Sequence, residues 1–137
     1  MFSTLGFRTL LGACLLLSLT SHANSEVARG VVFEDRNRNG QRDEGERGLP
    51  DVRVSNQREV TVTDRQGRWE LPSDDDTVFF VIKPRGWMPP VNEHQLPRFF
   101  YVHKPTGSAA NLKYPGVAPT GPLPASIDFP LHRQSEP

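Results

Sequence analysis

Residues 51–71 read Asp-Val-Arg-Val-Ser-Asn-Gln-Arg-Glu-Val-Thr-Val-Thr-Asp-Arg-Gln-Gly-Arg-Trp-Glu-Leu. Three short runs in this stretch, Asp51–Ser55, Val60–Asp64 and Arg68–Leu71, alternate apolar and polar side chains with the period of two that a strand half in contact with a core requires. Asp64 to Gly67 separates the last two runs, and a glycine there supplies the positive φ of a tight hairpin turn. Working toward the amino terminus, Gly48-Leu49-Pro50 is a turn signal. Val27–Phe33 is a further strand, with Val27, Val31 and Phe33 expected on one face. Toward the carboxyl terminus, Pro72–Asp76 is an acidic turn. Thr77–Lys83, with Val78 to Ile82 all apolar, is expected to be a strand buried on both faces.

From Pro84 onward proline and glycine punctuate the chain, and only Arg98–His103 and Ser126–Leu131 keep a strand pattern. The roughly 20 residues between them have no regular period, and loops that long are usually functional or linking. No window of ten or more residues after Ala23 carries apolar side chains at helical spacing without a proline or glycine to break it. The expected fold is therefore all-β: a small antiparallel β-sandwich, immunoglobulin- or transthyretin-like, of about seven strands. Residues 24–83 form its core, 84–131 a Pro/Gly-rich extension with closing strands, and 132–137 a polar tail.

The chain begins with an export signal. Arg8 gives Met1–Ala23 its positive start, Leu10 to Leu19 its apolar run, and Ser21-His22-Ala23 the small residues that signal peptidase reads. That run is too short to cross a bilayer, which needs about 20 apolar residues. The single cysteine, Cys14, falls inside it. Leu11-Gly12-Ala13-Cys14 looks like a lipidation box, but five residues after Arg8 leave no room for an apolar run ahead of it. Cleavage after Ala23 leaves a chain without cysteine, exported to the periplasm or beyond and with no disulfide to staple its loops. Of 16 basic and 16 acidic residues, cleavage removes only Arg8, for a net charge near −1. That balance gives no footprint for nucleic acid, and no second apolar segment suggests a membrane span.

Between the first strand and the Gly48 turn lies Asp35-Arg36-Asn37-Arg38-Asn39-Gly40-Gln41-Arg42-Asp43-Glu44-Gly45-Glu46. Asp35, Asn37, Asn39, Gly40 and Glu46 occupy the specified positions of a twelve-residue calcium loop. Calcium takes six to eight hard oxygen ligands. Asp35, Asn37 and Asn39 offer side-chain oxygens two residues apart, Gly40 permits the bend, Gln41 offers its main-chain carbonyl, Asp43 binds directly or through water, and Glu46 closes the shell. Three carboxylates, offset by Arg36, Arg38 and Arg42, indicate affinity in the range of about 10⁻⁴–10⁻³ M seen in extracellular modules. The competing reading is an Asx-rich turn ordered by its own hydrogen bonds. Strands rather than helices flank the loop, so calcium here would be a structural clip and not a sensor.

Gly30-Val31-Val32-Phe33-Glu34-Asp35 through the loop to Gly48-Leu49-Pro50, and on to Thr63-Asp64-x-x-Gly67-x-Trp69-x-Leu71-Pro72, resembles the B-repeat β-sandwich domains of bacterial surface adhesins. It resembles more closely the amino-terminal domain of exported calcineurin-like metallophosphoesterases. Val81-Ile82-Lys83-Pro84-x-Gly86-Trp87, Tyr101-Val102-His103-Lys104-Pro105-x-Gly107-Ser108 and Pro119-Thr120-Gly121 through Ile127-Asp128-Phe129-Pro130-Leu131 carry that second likeness. The resemblance implies a calcineurin-like phosphoesterase domain as partner, in cis or in trans. The two-metal chemistry of such a domain needs Asp-x-His, Gly-Asp-x-x-Asp and Gly-Asn-His motifs. None occurs here; His94, His103 and His132 are isolated in the sequence, and no Ser, His and Asp stand in a recognisable catalytic arrangement. The expectation is a non-catalytic, calcium-stabilised accessory domain, truncated or separated from its hydrolase. The alternative is an independent surface, carbohydrate- or protein-binding module that uses Trp87, Tyr114 and their neighbours as a platform.

Overall fold

The computed structural model describes residues 26–134; the expected export signal 1–23 with Cys14 and the last three residues of the tail lie outside them. The strands are β1 (Glu26–Glu34), β2 (Arg53–Ser55), β3 (Val60–Val62), β4 (Arg68–Ser73), β5 (Thr77–Ile82), β6 (Trp87–Met88), β7 (Phe100–His103) and β8 (Phe129–Arg133). They form two four-stranded sheets, ordered β4-β1-β8-β6 and β3-β2-β5-β7. Both sheets feed one core, which makes this the expected small β-sandwich. Val32, Trp69, Leu71, Phe129 and Leu131 come from the first sheet, and Val54, Phe79 and Val81 from the second. Trp69 sits at its centre, 5.7 Å from the Phe79 ring and stacked 5.8 Å from Phe129. Offset aromatic contacts of this kind add specificity to the large area each ring buries.

The hairpin expected from residues 60–71 does not form: β3 pairs with β2 and β4 with β1, so the Asp64–Gly67 turn carries the chain from one sheet to the other, and the paired hairpin is β2–β3. Trp69 and Leu71 nevertheless face the core as the alternation requires. Pro72, which has no N–H to donate, is tolerated because β4 is an edge strand. All strand pairs are antiparallel except β1 with β8, which run parallel with Val32 opposite Phe129. Among the described residues there are eight strands; β6 is the addition, a two-residue strand that the proline-rich context concealed.

Two expectations about faces are corrected. Val27, Val31 and Phe33 do not line the core. Ala28 and Val32 do, while Val27 is exposed and Phe33 is buried outside the main cluster. The cause is Gly30, on the core-facing side of the same alternation, where a Cβ would lie 1.8 Å from the Ile127 carbonyl oxygen. A backbone approach that close needs small residues, so β1 turns its smallest side chains inward. Nor is β5 buried on both faces. Thr77, Phe79 and Val81 are buried, but Val78 and Phe80 are only partly covered and Ile82 is exposed.

Beyond Val31, β1 continues to Glu34 and delivers the chain into the loop. Two segments hold this end of the strand. Val32 N–H donates to Gly67 O and Leu49 N–H donates to Val32 O, each at 2.8 Å. Gly67 is required there: its φ is +75°, and a Cβ would meet Val32 O at 2.3 Å.

Candidate metal centre and its surroundings

The loop at residues 35–46 is ordered by side-chain oxygens that accept backbone N–H groups. Asp35 is fully buried; its Oδ1 accepts from Asn39 N–H at 3.2 Å and its Oδ2 from Gly40 N–H at 2.8 Å. Glu46 is also buried and bridges the two ends, accepting from Arg36 N–H at 2.9 Å and Asp43 N–H at 3.1 Å. Asn37 and Asn39 each donate an Nδ2–H to Asp43 Oδ2 at 2.7 Å. Asn39 Oδ1 accepts from Gln41 N–H at 2.8 Å. Arg38 and Gly40 both adopt positive φ, and open space surrounds Gly40, so its role is conformational alone.

Asp35, Asn37, Asn39, Gln41, Asp43 and Glu46 are thus interlinked within one loop. Among the described residues, no group of three or more His, Cys, Asp or Glu side chains gathers as a metal shell would. The donor set nevertheless has the chemistry of a hard cation: three carboxylates, two amides and a main-chain carbonyl. Two of those carboxylates, Asp35 and Glu46, are withdrawn from water and accept backbone N–H groups. Burying a carboxylate is costly unless it is well paired.

One neighbour of the loop was not visible as such in the sequence. Leu131 O accepts from Asp35 N–H at 2.8 Å, which brings the following residue, His132, beside the loop. Burial, and then the charge of Arg38, hold its imidazole below the ordinary histidine value, against an opposing pull from Asp35. Its Nδ1 is buried with no hydrogen-bond partner. A cavity of about 600 Å³ opens beside the loop, between Arg38 and Asn39 and the extension residues Pro90, Arg98 and Tyr101.

The second sheet shows a different surface. The strand register puts Arg53 between Val62 and Ile82, and Ser55 between Val60 and Phe80, on its outer face. Val60, Val62, Ile82 and Phe100 are exposed there. A groove of about 420 Å³ continues the patch, lined by Phe80, Ile82, Met88, Pro89, Val91 and Phe99. Of the other aromatics, Tyr101 packs on the core, and so does Trp87, while Tyr114 is 71% exposed.

The family model for the N-terminal domain of calcineurin-like phosphoesterases matches residues 36–116. The chain belongs to that family. No curated protein matches it. The matched span opens inside the loop and takes in β2 to β7; β1 and β8 lie outside it and complete the sandwich. It covers the N-terminal, non-catalytic domain and reaches no phosphoesterase domain. Among the described residues no helix is long and apolar enough to cross a membrane.

Proposed function

We propose that this accessory domain is exported, is held together by calcium in the loop at residues 35–46, and packs against a calcineurin-like phosphoesterase domain in cis or in trans. The family match over residues 36–116 carries the reading. The apolar outer face of the β3-β2-β5-β7 sheet supports it, because contiguous exposed apolar surface on a soluble domain marks a contact site. The export signal in Met1–Ala23 supports the location, where calcium is available and disulfides are permitted but this chain has none to use.

Asp35, Asp43 and Glu46 would hold the calcium with their carboxylates, Asn37 and Asn39 with their amides, and Gln41 with its main-chain carbonyl. The ion supplies the positive charge that the buried carboxylates of Asp35 and Glu46 call for. Any ligand that binds the folded chain alone stabilises it. At ten to a hundred times a dissociation constant of about 10⁻⁴ M, the gain is about 1.4–2.7 kcal/mol. Thermal melting of the full chain in calcium and in chelator checks this, with the higher melting temperature expected in calcium. Equal midpoints would leave the Asx-turn reading in place. For the partner, sedimentation of the chain with a separately expressed phosphoesterase domain from the same genome should give a complex that Val62→Asp weakens. Independent sedimentation of the two would overturn the packing role.

A further inference from the structure

Glu34, the last residue of β1, is approached by three arginines. Arg47 Nε lies 2.7 Å from its Oε2, Arg36 Nε 3.8 Å from the same oxygen, and Arg133 Nε 3.6 Å from Oε1. The carboxylate is largely buried, with 12% side-chain exposure, whereas the arginines remain 56–67% exposed. They come from the loop, from the segment after it and from β8, so the fold and not the local sequence gathers them. Glu34 is the one carboxylate among the described residues in ion-pair reach of these three guanidiniums, so two of them have no carboxylate of their own.

The geometry leaves those charges usable. Each arginine meets Glu34 by its Nε edge, and among the described residues the Nη groups of Arg36, Arg47 and Arg133 make no hydrogen bond. Arg133 is also pre-positioned: its guanidinium carbon stands 4.8 Å from the centroid of the Trp87 ring, directly across the β6–β8 pairing. Stacking on an indole fixes the plane of a guanidinium without spending its N–H donors.

We propose that Arg36, Arg47 and Arg133 form a binding site for a phosphomonoester dianion, seated over Glu34. Guanidinium forks match the oxygens of a phosphate in pairs. A phosphomonoester carries about −1.5 to −2 charges near neutral pH and three acceptor oxygens, enough for both guanidiniums that lack a carboxylate of their own, whereas a carboxylate offers two oxygens and one charge. Exposed charges are screened, so selectivity must come from the convergent forks and not from net charge alone. A soluble phosphate ester and the head group of an anionic lipid share this chemistry. The site needs no metal in the loop, so it stands or falls apart from the calcium reading.

The test is titration of the metal-free full chain with glycerol phosphate, read at the Nε–H resonances of Arg36, Arg47 and Arg133. All three should shift together and saturate, with acetate at least tenfold weaker. Arg36→Gln and Arg133→Gln together should weaken binding at least tenfold at an unchanged melting temperature. Glu34→Gln, which removes the competing carboxylate, should tighten it about threefold, a direction that a purely structural Glu34 does not give. Should Glu34→Gln fail to fold, the arginine pair still decides. Co-sedimentation with vesicles containing phosphatidate assigns the lipid as source if it is tenfold tighter than the soluble ester, and the soluble ester otherwise. A response that sulfate reproduces at equal concentration marks an adventitious ion only and overturns the proposal, as does the absence of saturation with both probes.

Discussion

The loop that begins at Asp35 and the inter-sheet turn that begins at Asp64 are built by the same device and end in different electrostatic states. In both, an aspartate accepts backbone N–H groups a few residues ahead: Asn39 and Gly40 for Asp35, Gln66 and Arg68 for Asp64. In both, a positive-φ glycine completes the bend, Gly40 in one and Gly67 in the other. Asp64 is exposed, and water completes its solvation. Asp35 is fully buried, beside a Glu46 that is nearly so. The glycines reverse this order. Gly67 is packed against the backbones of Val32 and Gly48, while nothing lies within 4 Å of where a Cβ on Gly40 would be. The turn at Asp64 is thus a packing joint with a solvated charge, and the loop is a buried charge with little packing. Only the second has something to gain from a cation.

The largest effect should come from the packed glycine. Gly67→Ala puts a Cβ 2.3 Å from Val32 O, an oxygen that already accepts the Leu49 N–H, in a backbone region that L side chains avoid. A loss of about 3 kcal/mol is expected, combining overpacking with backbone strain, and denaturant unfolding measures it. Asp35→Ala comes next. It strips the acceptor from two N–H groups in the loop, for a cost of about 2 kcal/mol, and should also abolish the response of the melting temperature to calcium. Asp35→Ala with an undiminished calcium response would remove Asp35 from the ligand set. Gly40→Ala, strained but unobstructed, should cost only about 1 kcal/mol. If it proved as costly as Gly67→Ala, the contrast between a packed turn and an open loop would fail.

What the sequence disclosed divides along the same line. Features written over a dozen consecutive residues were legible: the alternation that turns Trp69 and Leu71 to the core, the Asx spacing of 35–46, the lack of helix among the described residues. The pairing of the 60–64 run was not, because β3 turns back on β2 while β4 crosses to the other sheet. Features made by distant partners were not. The inward face of β1 is decided by the approach of Ile127 to Gly30, and Val31 N–H donates to Asp128 Oδ1 at 2.9 Å across 97 residues. Neither leaves a trace in the period of Val27–Phe33. The parallel seat of β8 beside β1 likewise brings His132 to the loop and Arg133 to Glu34. Both residues read as part of a featureless tail. The hydrogen-bonded side chains of the loop were legible because they are local, and the cluster around Glu34 was not because three separate segments compose it.

The smallest expected effect concerns the charge of Asp64 itself. Its carboxyl is held below the ordinary value, chiefly by the Arg68 N–H and further by the Gln66 N–H and the Arg68 charge, against the opposing effect of desolvation. A carboxylate depressed in the folded state contributes stability above its unfolded value, here 3.8, and loses it as pH falls through the lower folded value. Acid should therefore weaken the turn at Asp64 only below about pH 4, with the folded chain binding fewer protons than the unfolded chain in that window. Asp64→Asn, which keeps an acceptor oxygen but no charge, should show a shallower fall in melting temperature below about pH 4 and no difference in pH response above it. Because Asp64 is solvated, the change should be small and should shrink further in high salt. An equally steep fall in the variant would take Asp64 out of the acid response.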